Sequence, residues 1–121
     1  MRKSVLICDD DEMMQMLLGV FLKKEDIEII PVLKGSDLLP VAKQRVPAMI
    51  LLDMFMPDKD GLTALQELHA DPATASIPVV ILSATITPDI MGRARASGAK
   101  EFVEKPVKPA RILEVVRKYA A

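Results

Sequence analysis

The sequence has few residues that could stack on bases, form disulfides or hold a soft metal. Its 121 residues include one cysteine, one histidine, one tyrosine, three phenylalanines and no tryptophan. A single cysteine excludes an internal disulfide and a cysteine-based metal cluster. With one histidine, a catalytic triad or a zinc site has few parts available. The shortage of aromatic rings argues against a base-stacking surface for nucleic acid.

Charge and hydropathy argue against two further classes of partner. The 16 basic and 17 acidic residues give a formal net charge of −1, and both signs are spread along the chain. This argues against direct binding of nucleic acid, which needs a basic face. No apolar run reaches the length of a membrane span, and residues 5–8 form too short a run for a signal peptide. We therefore predict one cytoplasmic domain over residues 1–121, without direct contact with nucleic acid or membrane.

Short apolar runs alternate with helical patterns five times along the chain. Near-continuous apolar strands are typical of a parallel sheet that helices cover on both faces. The pattern predicts an α/β fold, a (βα)₅ doubly wound domain with a five-stranded parallel sheet. The predicted strands are residues 4–8, 27–32, 48–52, 77–82 and 101–103, and the predicted helices are residues 12–24, 37–44, 62–70, 88–98 and 109–119. Pro40 lies within the second helix, and we place it in the first turn, where proline is tolerated.

Polar residues follow four of the predicted strands. Asp9 and Asp10 come after the first, Asp53 after the third, Ser83 after the fourth and Lys105 after the fifth. Because functional residues of doubly wound sheets gather at the carboxyl ends of the strands, we expect one pocket to hold them all. Neighbouring carboxylates repel each other, and Mg²⁺, which prefers oxygen ligands, relieves that repulsion. A carboxylate in such a pocket can attack phosphorus and form an acyl phosphate.

Four segments resemble the signatures of response-regulator receiver domains of two-component systems, in the same order along the chain. They are residues 5–10 (VLICDD), 51–61 (LLDMFMPDKDG), 80–84 (VILSA) and 98–106 (GAKEFVEKP), and the resemblance covers essentially the whole chain. It implies a flavodoxin-like receiver fold, similar to that of chemotaxis regulators. It also implies a domain that catalyses only its own phosphorylation and dephosphorylation, and is otherwise no enzyme.

The resemblance also implies a metal site and a phosphoacceptor. Asp53 is the expected phosphoacceptor, and Mg²⁺ (or Mn²⁺) is expected to bind Asp9, Asp10, Asp53 and the backbone carbonyl of Phe55. Phe55 lies two residues after Asp53, and Thr85 lies two residues after Ser83. In family members, the side chains at these two positions control the approach of water to the phosphoryl group. Neither carries an amide or an acid, so we predict slow loss of the phosphoryl group.

Further residues are expected to bind the phosphoryl group and to respond to it. Ser83 and Lys105 would bind its oxygens, and the Lys105–Pro106 peptide bond is expected to be cis. Ser83 and Phe102 would form the switch that changes the surface of the domain, and Gly61 would close the loop after the acceptor strand.

The first helix carries two apolar stripes. One stripe, expected to be core, is Met14, Leu17, Leu18 and Phe21; the other is Met13, Met16 and Val20. In the family this helix docks against the histidine-bearing bundle of the phosphodonor, so the second stripe, with Pro106, is a candidate docking surface. The alternative is that these residues complete the core.

Other interpretations of the same residues remain open at this stage. Asp11 is expected to be a helix cap or an outer acid, and Asp58 and Asp60 are expected to be loop acids. The domain could be an interaction module that kept the fold without the chemistry. A phosphohydrolase is a third class, but it would need an acid where Phe55 stands. The expected partners are a sensor histidine kinase or histidine phosphotransfer protein and, downstream, a protein effector or a second copy of the chain.

Overall fold

The computed structural model describes residues 3–120, in which five strands alternate with five helices. The elements are β1 (Lys3–Cys8), α1 (Glu12–Lys23), β2 (Ile27–Val32), α2 (Gly35–Arg45), β3 (Met49–Asp53), α3 (Gly61–Ala70), β4 (Val79–Ser83), α4 (Pro88–Ala96), β5 (Glu101–Glu104) and α5 (Pro109–Tyr119). The strands pair in parallel in the order β2-β1-β3-β4-β5. The predicted (βα)₅ doubly wound fold is therefore confirmed.

Alternating residues of each central strand face two different helical layers. Leu6 and Cys8 pack with the buried residues of α2, α3 and α4, whereas Val5 and Ile7 pack with those of α1 and α5. All five residues of β3 and all five of β4 are buried. Burial on both faces explains why these strands are continuous apolar runs in the sequence.

The strand order places the carboxyl ends of β1 and β3 side by side. Cys8 of β1 is in register with Leu52 of β3, and Asp53 is in register with Leu82 of β4. The chain leaves β1 toward β2 on one side and returns to β3 on the other, which makes this edge the topological switch point of the sheet. The residues that follow β1 and β3 therefore meet in one crevice.

Helix α2 differs from its predicted form. It begins at Gly35, so Pro40 lies in its interior and not in the first turn. The prediction was wrong because the first amides of α2 are capped by a carboxylate from a distant loop, Asp58, which local sequence does not reveal.

Helix α1 buries most of the face that was predicted for it, and Leu17 is the exception. Leu18 is buried and Met14 and Phe21 are half-buried, but Leu17 is 63% exposed and Gln15 is buried. The assignment of Leu17 to the core was therefore wrong. The reason is the Gln15 side chain, whose Nε2 donates to the carbonyls of Ile7, Asp9 and Val32 at 2.6, 3.2 and 3.3 Å. These hydrogen bonds draw a polar residue inward and turn Leu17 outward.

Within residues 3–120, none of the helices combines the length and the apolar character needed to cross a membrane.

Candidate functional site

Three carboxylates meet at the carboxyl ends of β1 and β3. Asp9, Asp10 and Asp53 each offer an oxygen, and these oxygens all lie within 4.8 Å of one another. Asp9 and Asp53 are buried, whereas Asp10 is exposed. The structure thus brings together the three side chains that were predicted to hold a divalent metal ion.

Lys105 reaches this acid cluster from the end of β5. Its Nζ lies 2.8 Å from Oδ2 of Asp9 and 3.4 Å from Oδ1 of Asp53. The Lys105–Pro106 bond is cis, as the resemblance implies, and the Lys105 backbone N–H donates to the carbonyl of Ser83 at 2.9 Å. Burial by itself would lower the pKa of Lys105, but Asp9 and Asp53 together raise it. Lys105 is therefore a cation at neutral pH.

The charges in the cluster do not balance. Burial, and next the negative charge of Asp9, raise the pKa of the Asp53 carboxyl, although Lys105 and the Phe55 N–H oppose the rise. That N–H lies 3.4 Å from Oδ1 of Asp53. Three carboxylates face one ammonium, so a further cation would be stabilised there. Carboxylate oxygens are the ligands that Mg²⁺ prefers, and the donor set fits that ion.

Ser83 is fully buried at the end of β4, the strand that pairs with β3. Its hydroxyl donates to the carbonyl of Thr85 at 2.8 Å and accepts from the Thr85 N–H at 3.2 Å. The hydroxyl is thus engaged by its own loop. The side chains of Thr85 and Phe55, the two residues expected to control water access, are both exposed.

Phe102 lies in the centre of β5, where it pairs with Ile81 of β4. It is half-buried and packs against the core layer that contains α3 and α4. The guanidinium of Arg95 on α4 lies 5.3 Å from the centroid of the ring. The predicted switch residue is therefore already in contact with α4.

Three further acids near the site act as helix caps. Asp11 accepts from the Met14 N–H at 3.1 Å at the start of α1, as expected for a capping acid. Asp60, expected to be a loop acid, accepts from the Thr63 N–H at 2.8 Å at the start of α3. Asp58 caps α2, and no local pattern could have shown this because the amides it binds lie 22 and 23 residues earlier.

Gly61 closes the loop that follows β3. Its N–H donates to the carbonyl of Met54 at 2.7 Å. A Cβ at this position would lie 2.6 Å from the carbonyl oxygen of Asp53 and 2.6 Å from the Cα of Met54. Only glycine fits so close to the end of β3.

Beside the crevice, α1 exposes four large apolar side chains, which we call the α1 patch: Met13, Met16, Leu17 and Val20. Each is 59–67% exposed. Met13 and Leu17 also line a shallow depression whose other wall includes Lys105 and Pro106. The second stripe is therefore exposed and does not complete the core, and Leu17 extends it.

Comparison with known proteins identifies the family. Residues 5–117 match the model of the response regulator receiver domain. The chain belongs to this family. Receiver domains are signalling domains of two-component systems, not enzymes in the ordinary sense, and they bind Mg²⁺ at an acidic pocket of the kind formed here.

Individual relatives agree with this assignment. The response regulator PleD of Caulobacter vibrioides is 34% identical, over 97% of this chain and 26% of PleD. The receiver chain thus spans about a quarter of that relative's length. The polar-differentiation response regulator DivK of Brucella ovis is 29% identical, over 98% of this chain and 97% of DivK.

A solved receiver domain shows the same fold. It comes from a sensor histidine kinase of Pseudomonas aeruginosa and has a magnesium ion coordinated in its active-site cleft. It superimposes with a TM-score of 0.89 at 20% identity, over 99% of this chain and 98% of that chain. At this identity the likeness establishes the fold.

Proposed function

We propose that this receiver domain accepts a phosphoryl group from phosphohistidine on Asp53, in a Mg²⁺-dependent reaction that switches a protein-interaction surface. One observation carries the proposal. The oxygens of Asp9, Asp10 and Asp53 lie within 4.8 Å of one another, and Lys105 contacts the two buried acids. This arrangement supports the assignment of Asp53 as the nucleophile, of the three carboxylates as hard ligands and of Lys105 as a fixed cation.

The chain's own residues fit a magnesium site. Asp9, Asp10 and Asp53 would hold the ion with their carboxylates, and Phe55 would add its backbone carbonyl; Mn²⁺ suits the same ligands. The bound ion supplies positive charge that offsets the repulsion among the acids and the charge on the phosphoryl oxygens. Support comes from the solved receiver domain of Pseudomonas aeruginosa, which contains a magnesium ion in its cleft.

The transfer step follows from the position of Asp53. One of its carboxylate oxygens forms a bond to phosphorus, the phosphorus–nitrogen bond breaks, and its electron pair stays on the imidazole nitrogen of the donor. The Lys105 ammonium pairs with a phosphoryl oxygen, and such preformed charges stabilise the transferring group. The product is an aspartyl phosphate, so the domain catalyses only its own modification and its reversal.

The switch starts at Ser83. Its hydroxyl exchanges the Thr85 carbonyl for a phosphoryl oxygen, which moves the loop between β4 and α4. Phe102, half-buried against α4, then turns inward. The phosphoryl group thereby biases a two-state equilibrium, and the face formed by α4, β5 and α5 changes its affinity for a downstream protein or for a second copy of the chain.

The α1 patch supports a phosphodonor that docks beside the crevice. We assign Met13, Met16, Val20 and Pro106 to the docking surface, and Leu17 joins them because it is equally exposed. Methionine side chains adapt to a partner helix. The partner is a sensor histidine kinase or a histidine phosphotransfer protein, and the domain needs no direct contact with nucleic acid or membrane for this role.

The two competing functions have less support. An interaction module without chemistry would tolerate loss of an acid, Ser83 or Lys105, yet the chain has all of them. A phosphohydrolase would need an acid at Phe55.

Small-molecule phosphorylation tests the proposal. After incubation with acetyl phosphate, intact-mass analysis should show one phosphoryl adduct with Mg²⁺ and none with a chelator. An equal amount of adduct in both samples would show that phosphorylation does not depend on the metal. No adduct in either sample would favour the interaction module.

A further inference from the structure

Asp58 belongs to the loop that carries the Phe55 carbonyl, but its side chain contacts a different helix. The loop is residues 54–60, between β3 and α3, and we call it the acceptor loop. Oδ1 of Asp58 accepts from the Gly35 N–H and Oδ2 accepts from the Ser36 N–H, each at 3.0 Å. Lys34, the N-cap residue of α2, makes no side-chain capping hydrogen bond. The acceptor loop therefore supplies the cap of α2.

The backbones on the two sides of this contact are closely packed. A Cβ on Gly35 would lie 2.9 Å from Cβ of Lys59, 3.2 Å from the Lys59 carbonyl oxygen and 3.3 Å from Cε of Met56. Any side chain at Gly35 would thus displace the acceptor loop. Gly35 is not held in a conformation that only glycine adopts, so close packing is the physical reason for a glycine here.

A sulfur contact extends this packing to the acid cluster. Sγ of Cys8 lies 3.6 Å from Sδ of Met56 and 3.9 Å from the carbonyl oxygen of Lys34. Cys8 directly precedes Asp9, and Met56 directly follows Phe55. The start of α2, the end of β1 and the acceptor loop therefore form one packed unit beside the metal ligands.

The Asp58 contact joins a charged acceptor to the amides at the start of a helix. The N–H groups of Ser36 and Gly35 hold the pKa of the Asp58 carboxyl below its usual range. The carboxylate is therefore charged at neutral pH, and charge-assisted hydrogen bonds at the positive end of a helix are among the strong ones.

We propose that Asp58 is a positioning residue for the metal site, because its two hydrogen bonds to α2 hold the acceptor loop and with it the Phe55 carbonyl. This inference rests on the proposed magnesium site. The hydrogen bonds of the Asp58 carboxylate go to the amides at the start of α2, so its effect on the metal site passes through the loop. By thermodynamic linkage, metal binding and the Asp58–α2 contact stabilise each other.

Magnesium titration of matched variants tests the inference. Asp58→Ala should raise the Kd for Mg²⁺ severalfold, by about fivefold if the whole cap is coupled to metal binding. Asp58→Asn keeps one neutral acceptor oxygen and should give an intermediate Kd. The control is Asp71→Ala, which also removes a carboxylate that accepts a backbone N–H, from Ala73 at 2.9 Å. It should lose similar stability and leave the Kd unchanged.

Two further measurements separate positioning from general destabilisation. Phosphorylation of Asp58→Ala by acetyl phosphate should be slow at low Mg²⁺ and normal at saturating Mg²⁺. In the unmodified chain, Mg²⁺ should slow hydrogen exchange at the Gly35 and Ser36 amides. Gly35→Ala disturbs the same contact from the α2 side, because its Cβ would displace the acceptor loop. It should therefore also weaken Mg²⁺ binding, although alanine is the better helix former.

The outcomes are distinct. A Kd for Asp58→Ala equal to that of the parent, or equal losses in Asp58→Ala and Asp71→Ala, would overturn the positioning role. Absence of Mg²⁺ binding by the parent would overturn the proposed metal site itself.

Discussion

The ammonium of Lys105 lies 2.8 Å from Oδ2 of Asp9, a carboxylate with no exposed surface. Oδ1 of the same carboxylate accepts from the Asp11 N–H at 2.9 Å, so both of its oxygens have partners. Removing one member of such a pair leaves an uncompensated charge in a buried site. Lys105 therefore contributes to the stability of the domain as well as to its proposed chemistry.

Lys105→Ala should lower the free energy of unfolding by about 2–4 kcal/mol in metal-free buffer, because Asp9 and Asp53 then face each other without a cation. Mg²⁺ should restore more stability to this variant than to the parent. Urea unfolding with and without Mg²⁺ measures both effects. Lys108→Ala, an exposed lysine three residues away, is the control and should change neither. If Lys105→Ala is as stable as the parent, the ion pair makes no net contribution.

Asp53→Asn should stabilise the metal-free domain, because the pKa of Asp53 is raised by burial and by Asp9. The folded domain binds the Asp53 proton at a higher pH than the unfolded chain does, so this group's contribution to stability falls as pH rises through that interval. The advantage of Asp53→Asn should therefore be largest at neutral pH and shrink toward acid pH. Unfolding of both proteins across this range is the measurement. A constant difference would mean that the Asp53 pKa is not raised.

Asp10→Ala should weaken Mg²⁺ binding far more than Asp11→Ala. Asp10 has an oxygen within 4.8 Å of those of Asp9 and Asp53, whereas the Asp11 side chain caps α1. Calorimetric titration decides between them. Equal losses would show that the outer acid contributes as much as the proposed ligand.

Much of this site could be predicted because it lies at strand ends. Continuous apolar runs located β1, β3 and β4, and the polar residue after each run marked the crevice. The cap from Asp58 and the burial of Gln15 could not be predicted in this way. Both depend on contacts with backbone groups that are distant in sequence, and neither follows from hydropathy or local propensity. The two wrong predictions, a later start for α2 and a buried position for Leu17, are direct consequences of these distant contacts.

Met13→Glu or Met16→Glu should slow phosphotransfer from the cognate kinase and leave phosphorylation by acetyl phosphate nearly unchanged. A charge placed in an apolar contact must be desolvated when the partner docks, while the acid cluster is untouched. The two rates, measured on the same preparation, provide the comparison. Gln66→Glu on α3, also at an exposed position, is the control for added charge. If the methionine variants slow kinase phosphotransfer and acetyl phosphate phosphorylation equally, the α1 patch is not a docking surface.

The phosphoryl lifetime should depend on Phe55 and Thr85. Both side chains are exposed, and neither is an acid or an amide that could orient a water for attack on phosphorus. The Phe55→Asn, Thr85→Glu double variant should lose its phosphoryl group about ten- to a hundredfold faster, a typical effect of positioning a reactant. Decay after donor removal, with Mg²⁺ present, gives the rate. An unchanged decay would mean that these residues do not control water access.

The most direct test of the phosphoacceptor assignment is the location of the phosphoryl group itself. The parent, Asp53→Asn and Asp60→Asn are incubated with acetyl phosphate and Mg²⁺, and the adduct is quantified by intact mass and mapped by peptide analysis. Asp60 lies at the end of the acceptor loop and caps α3, which makes it the matched control. We predict one adduct on Asp53 in the parent and in Asp60→Asn, and none in Asp53→Asn. An undiminished adduct in Asp53→Asn would contradict the assignment.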